Sequence, residues 1–114
     1  MARYGCRGIE PVSLEIEHSA VSYLPGAVEA ARGGFLPGGL KNNSDFIGDC
    51  VGFAKSVPQE YRNLLFDPQT SGGLLVAIAP NAAEEALAAL QRHGVSARQV
   101  GKVVAKRTPL LAVE

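Results

Sequence analysis

The stretch Phe66-Asp67-Pro68-Gln69-Thr70-Ser71-Gly72-Gly73-Leu74-Leu75-Val76-Ala77-Ile78-Ala79 decides how this chain is read. Its second half is a run of apolar residues between two glycines and Pro80, the pattern of a buried strand. Its first half is a polar loop with more functional groups than a connection needs. Asp67-Pro68 sets a turn, because an Asp side chain bonds backbone two residues on and Pro presets its own φ. Gly72 and Gly73 remove two Cβ atoms and permit positive φ, so another backbone or a ligand can come close. Between the turn and the glycines stand the amide of Gln69 and the hydroxyls of Thr70 and Ser71.

Composition frames that stretch. The chain has 114 residues, 46% of them hydrophobic, which fits one globular domain. Its 11 basic and 11 acidic residues cancel, so it lacks the electrostatic footprint of a nucleic-acid or anionic-membrane binder. No apolar run approaches the ~20 residues of a membrane span. The N-terminus has no apolar core of a secretory signal. Cys6 and Cys50 are far apart and match neither a metal spacing nor a disulfide framework. Ordinary thiols in a reduced, cytoplasmic setting are the expectation.

Upstream of the central stretch, residues 1–10 read as a loosely ordered lead and 11–114 as a single domain. Residues 11–17 alternate, with Val12, Leu14 and Ile16 on one face and Ser13, Glu15 and Glu17 on the other, a half-buried strand. Residues 21–33 read as a short helix, with Pro25 at its first position and Gly33 just past its end. Residues 33–43 hold four glycines and Pro37 and predict an irregular loop. Asn43 or Ser44 then caps a helix over 45–51, with Phe46, Ile47 and Cys50 inward. Pro58 opens another helix to about Leu65, its apolar face made by Tyr61, Leu64 and Leu65.

Downstream, Asn81 followed three residues on by Glu84 has the spacing of a capping box. Ala83, Ala86, Leu87 and Leu90 form its apolar stripe, and Gly94 stops the helix. Residues 100–105 alternate as a strand, and 110–113 form a last short one. Strand, helices, strand, helix, strand, strand is an α/β (α+β sandwich) pattern, a mixed sheet with helices packed on it.

The segment Leu64-Leu65-Phe66-Asp67-Pro68-Gln69-Thr70-Ser71-Gly72-Gly73-Leu74-Leu75 resembles the C-terminal signature of selenophosphate synthetase (selenide, water dikinase). Three shorter stretches resemble the same family in the same order: Leu24-Pro25-Gly26-Ala27, Pro37-Gly38-Gly39 with Asn42 or Asn43, and Val100-Gly101-Lys102-Val103. The resemblance implies the C-terminal domain of the aminoimidazole-ribotide-synthetase-like superfamily, truncated at its N-terminal side. It implies a family that converts selenide, ATP and water to selenophosphate, AMP and phosphate with magnesium, as a homodimer of two-domain subunits. The family's catalytic Cys or selenocysteine, its Lys and its Gly-rich ATP segment belong to an N-terminal domain with no equivalent here. Its Asp-Val-Thr-Gly-Phe-Gly stretch is also absent, and Met1-Ala2-Arg3 is similar to the end of the helix that follows it. The chain therefore reads as a fragment begun at an internal methionine, inactive alone. Neither cysteine matches the catalytic one.

The candidate binding residues are Thr70, Ser71, Gly72 and Gly73, an anion cradle of successive amides and two hydroxyls. Asp67, Gln69, Asn42 and Asn43 are supporting candidates, with Lys41 as a source of charge. A tight turn that merely packs the loop is the rival reading. His18, His93, Glu15 and Glu17 read as solvated, and no catalytic residue or metal ligand is expected. Three roles follow: a selenophosphate synthetase fragment with a phosphate- or substrate-facing loop, a stand-alone anion- or nucleotide-binding module, or a non-catalytic assembly piece. The expected partners are the missing N-terminal ATP-binding domain and a second copy through an exposed sheet edge.

Overall fold

A computed structural model describes residues 12–114. The expected lead at 1–10 lies outside them. The alternating segment forms β1 (Val12–Ile16). It is followed by a turn of 3-10 helix, then α1 (Ala27–Arg32), α2 (Gly39–Ile47), β2 (Val51–Phe53), α3 (Gln59–Leu65), α4 (Pro80–Arg92), β3 (Gly101–Ala105) and β4 (Leu111–Val113). The strands make one mixed sheet in the order β2-β4-β1-β3. β1 runs antiparallel to β3, with Val12 opposite Ala105 and Ile16 opposite Gly101. β4 is parallel to both β1 and β2. The α/β architecture expected from the sequence is thus present.

Alternation located β1 but misassigned its faces. Ser13, expected on the wet side, is 0% exposed. Its hydroxyl accepts the Arg107 N–H at 2.8 Å and donates to the Arg107 carbonyl at 3.1 Å. A hydroxyl with both functions satisfied can be buried at little cost. The clamp fixes the β3–β4 connection against β1.

The glycine-rich segment corrects the second expectation. Residues 39–43 are helical rather than irregular, and α2 begins well before Asn43 or Ser44 can cap it. Pro37 stops any earlier helix, and a Lys41–Asp45 ion pair of 2.6 Å bridges one turn of α2. The helix ends at Gly48, whose φ of 54° is left-handed. Val51 therefore belongs to a strand, and Phe46, expected inward, is exposed. Smaller shifts occur at other ends. Gly26, at φ 81°, places Pro25 in a turn before α1, and Gly34, not Gly33, takes the left-handed position behind it. Pro80 opens α4 in place of a cap at Asn81, and Gly94 ends it as expected.

The largest correction concerns 74–79. This run belongs to no strand, and Leu74 is 94% and Val76 65% exposed. Among the described residues, 68–78 make no backbone hydrogen bond at all. Apolar composition selects a strand only where a neighbouring edge can pair with it. Both sides of the sheet end elsewhere, at β2 and β3. The buried hydrophobic residues among those described are few: Ala31, Cys50, Val57 and Val113. Cys50 is disulfide-bonded, not an ordinary thiol. The Cα radius of gyration of 15.1 Å exceeds the about 13 Å of a compact chain this long.

Candidate functional site: a cleft beneath the central loop

α1 and α3 pack together, and Arg32 locks them by donating from Nε and Nη2 to Glu60 Oε1 at 3.1 and 2.8 Å. The Glu60 backbone N–H, followed by Arg32, holds the Glu60 carboxyl below the usual carboxylate range. Tyr61 of α3 stacks edge-on against Tyr23, with ring centroids 5.3 Å apart, and against His18 at 5.1 Å. These contacts bring the segment before α1 against the first turn of α3. The two walls and the central loop enclose an open cleft of about 520 Å³.

Thr70, Ser71, Gly72, Gly73, Asp67 and Gln69 all line this cleft, facing Ser22, Tyr23, Leu24, Ala27 and Leu64. Asn42 and Asn43 do not line it. Asn43 instead reaches across from α2 and donates from Nδ2 to the Phe66 carbonyl at 2.9 Å, holding the root of the loop. Asn42 is exposed on α2. Lys41 is engaged with Asp45 on the same helix and supplies no charge to the cleft. Gly39 has a packing reason: a Cβ there would lie 3.0 Å from Pro68 Cγ. The root is further held by Phe66, edge-on to Phe53 at 5.6 Å, and by Arg62, whose guanidinium lies over Phe53. Arg62 also donates to the Ala54 and Val57 carbonyls at 2.9 and 2.8 Å.

Three of the four stretches singled out by resemblance therefore meet at one place. The fourth does not. Gly101 sits on β3 because a side chain there would overlap the Glu15 carbonyl of β1. Beside it, Glu15 bridges Lys102 and Arg107, each at 2.6 Å. Lys102, and more weakly Arg107, hold the Glu15 carboxyl below its ordinary range against the opposing effect of desolvation. This cluster is an ion-pair brace across β1 and β3.

The chemistry of the cleft follows from its lining. Its donors are hydroxyls, the Gln69 amide and backbone N–H groups. Among the described residues Asp67 is the one carboxylate that lines it, and no Lys, Arg or His does. The left-handed glycines lie elsewhere, at 26, 34, 48 and 94, so 70–73 do not form the alternating nest expected of an anion cradle. Nothing lies within 4 Å of a Cβ placed on Gly73, while one on Gly72 would meet Gln69 Oε1 at 2.6 Å. Tyr23 spends its hydroxyl on the His18 carbonyl at 3.3 Å, and burial, then Tyr61, raises its pKa. It is a wall, not an acid. Among the described residues no group of three or more His, Cys, Asp or Glu could hold a metal ion, and no helix is long and apolar enough to cross a membrane.

Sequence reasoning missed Ser22, Tyr23 and Arg62. The first two adjoin Leu24-Pro25-Gly26-Ala27, so that motif was a usable signal. Arg62 carried none, because its carbonyl partners are defined only by the fold.

Comparison with known proteins agrees with this layout. Residues 26–113 match the family described as AIR synthase related protein, C-terminal domain. The chain is 45% identical over 111 residues to the selenide, water dikinase of Pelobacter propionicus, covering 96% of this chain and 30% of that protein. Against the Escherichia coli protein of the same name it is 37% identical over 109 residues, with the same coverage. Against that of Clostridioides difficile it is 34% identical over 103 residues, 90% of this chain and 30% of the relative. The chain thus spans 30% of the length of these curated relatives. By the match over most of its length, the chain belongs to the AIR synthase related protein C-terminal domain family.

Proposed function

We propose that this chain is the C-terminal part of a selenophosphate synthetase, and that residues 67–73 supply a phosphate- or substrate-facing wall and no catalytic group. The observation that carries the reading is a coincidence of position. The stretch most like that family is also one whose 70–73 amides and two hydroxyls make no hydrogen bond among the described residues, with an open space over Gly73 beside a cleft. Thr70 and Ser71 hydroxyls and the amides of 70–73 are the groups that meet a phosphate oxygen; Gln69 and Asp67 orient the loop.

The lining does not fit magnesium and ATP by itself. Among the described residues of the lining, one carboxylate and no cation leave a triphosphate uncompensated. We assign those groups, the nucleophile and its Lys to an N-terminal ATP-binding domain in the same cytoplasmic enzyme, and route no chemical step through this chain. What the loop contributes is hydrogen-bond donors placed where charge is met, the role that positioning residues play in phosphoryl transfer.

The test is a titration of 15N-labelled chain with inorganic phosphate, AMP and ATP. Amides of 70–73 are expected to shift, with a loss of response in T70A/S71A. Silence there up to millimolar ligand argues against a binding wall. Selenide-dependent AMP release by the chain alone would overturn the fragment reading.

A further inference from the structure

We propose that Arg62 is the positioning residue for the 67–73 wall, acting through the Phe53 and Phe66 rings and touching no ligand itself. The inference rests on the reading of that loop as a ligand wall and deepens it by naming what aims it. Arg62 stands in α3, outside the lining of the cleft. Its Nε donates to the Val57 carbonyl at 2.8 Å and its Nη2 to the Ala54 carbonyl at 2.9 Å. Those two carbonyls bracket a tight turn, closed by the Val57 N–H on the Ala54 carbonyl at 3.1 Å. The same guanidinium lies over the Phe53 ring, 5.4 Å from its centroid, and that ring meets Phe66 edge-on. Phe66 is the residue from which the wall starts.

One end of this series of contacts is anchored in the sheet. Phe53 ends β2 and pairs with Val113 of β4. The Ala54 N–H donates to the Val113 carbonyl at 2.8 Å, and both Val113 and Val57 are buried. At the other end, the Phe66 and Asp67 N–H groups finish the last turn of α3 on the Asn63 and Leu64 carbonyls. Beyond them, 68–78 make no backbone hydrogen bond among the described residues, so the direction of the wall is set at its root. A site is held most accurately when its support rests on a packed strand or helix, and Arg62 supplies that link. A guanidinium suits the task where an ammonium does not. Its planar fork spans two carbonyls while it stacks on a ring, whereas a Lys is a point charge that serves one partner at a time. These partners are neutral, so the cation orients groups and cancels no charge.

The experiment is 15N spectroscopy of the whole chain, first without ligand and then in titration with inorganic phosphate. The variants are Arg62→Lys, Phe53→Leu, the double variant and Ser13→Ala. R62K keeps a cation and F53L keeps both carbonyl bonds, yet each breaks the link from the turn to Phe66. Amides of 66–73 are expected to shift in R62K and in F53L, with phosphate binding weakened about fivefold in each. The double variant should be no worse than the worse single one, because both act on one link. Amides of 54–57 should move in R62K alone. S13A loses the clamp on β1 and reports a general loss of stability, so it should leave 66–73 unmoved. Loop amides that stay in place in R62K and F53L overturn the proposal, as do equal shifts in S13A or losses that add in the double variant. Should R62K fail to fold, F53L decides by the same readout. Loop shifts in both variants, with no phosphate response even in the unaltered chain, would refute the ligand wall and leave Arg62 as the residue that sets the root.

Discussion

Asn43 gives the sharpest test of how the central loop is held. It sits inside α2, yet its side chain donates to the Phe66 carbonyl 23 positions away, at 2.9 Å. Replacing it with Ala sets two effects against each other. Losing a partly buried neutral hydrogen bond costs about 1 kcal/mol. Ala in place of Asn within a helix returns about 0.5 kcal/mol of propensity. The net loss for N43A is therefore only about 0.5 kcal/mol, small enough to mislead. Asn42 removes the ambiguity, since it is exposed on the same helix and makes no such bond. N42A should stabilise by about 0.5 kcal/mol, so the difference between the two variants isolates about 1 kcal/mol for the bond. N43D keeps the size but turns the donor into an acceptor facing an acceptor, and should fall below N43A. Urea denaturation reads this as a midpoint gap of about 0.5 M between N42A and N43A. Protein concentration must be equal and low, because association shifts apparent stability. Amide shifts in 67–73 should move in N43A and not in N42A. Equal midpoints within about 0.1 M, with the loop amides unmoved, would refute the claim that α2 positions the loop.

Three further perturbations test the scaffold. Ser13→Ala leaves the Arg107 N–H and carbonyl without their buried partner and should cost about 2 kcal/mol in urea unfolding; a loss below about 0.5 kcal/mol would show that the clamp is replaced by water. Gly101→Ala drives a Cβ into the Glu15 carbonyl and should cost about 3 kcal/mol, whereas Gly73→Ala, which meets nothing within 4 Å, should be near neutral, and similar losses for both would refute the packing argument. Glu15 and Glu60 both have folded-state pKa values below their ordinary ones, so the stability they add is present above the ordinary carboxylate range and is lost as pH falls through it. Lys102 and Arg32 are raised by the same partners, so their share is lost only at strongly alkaline pH, and the profile should be flat through neutrality. Unfolding midpoints measured across acid pH should fall less steeply in E15Q and E60Q; an unchanged acid slope in both would remove these carboxylates as its source.

What the sequence made legible, and what it did not, follows from the range of the forces involved. β1, α3, α4, β3 and β4 were readable because local periodicity, Pro58 and Gly94 are near-neighbour effects. α2 was misread because four glycines and a proline were counted as loop, although Pro37 and Gly38 lie before the helix and Gly48 after it. Ser13 was assigned to water because alternation cannot see the Arg107 backbone. The cleft was half legible. Motif resemblance marked the loop, the turn before α1 and the start of α2, and folding brings those together. The bond from Asn43 to Phe66, and the lack of a cation among the described residues of the lining, depend on tertiary placement alone.

The two halves of residues 66–79 turn out to share one property. Among the described residues the polar half has one carboxylate, Asp67, and no cation beside its donors, and the apolar half belongs to no strand. Four large aliphatic residues, Leu74, Leu75, Val76 and Ile78, lie exposed within five positions, more than single scattered surface hydrophobics. Both departures fall on one continuous stretch, joined at Gly73 where no neighbour crowds the backbone. The two halves share one backbone, so the α2 and α3 contacts that hold the root at Phe66 also set where the apolar run begins.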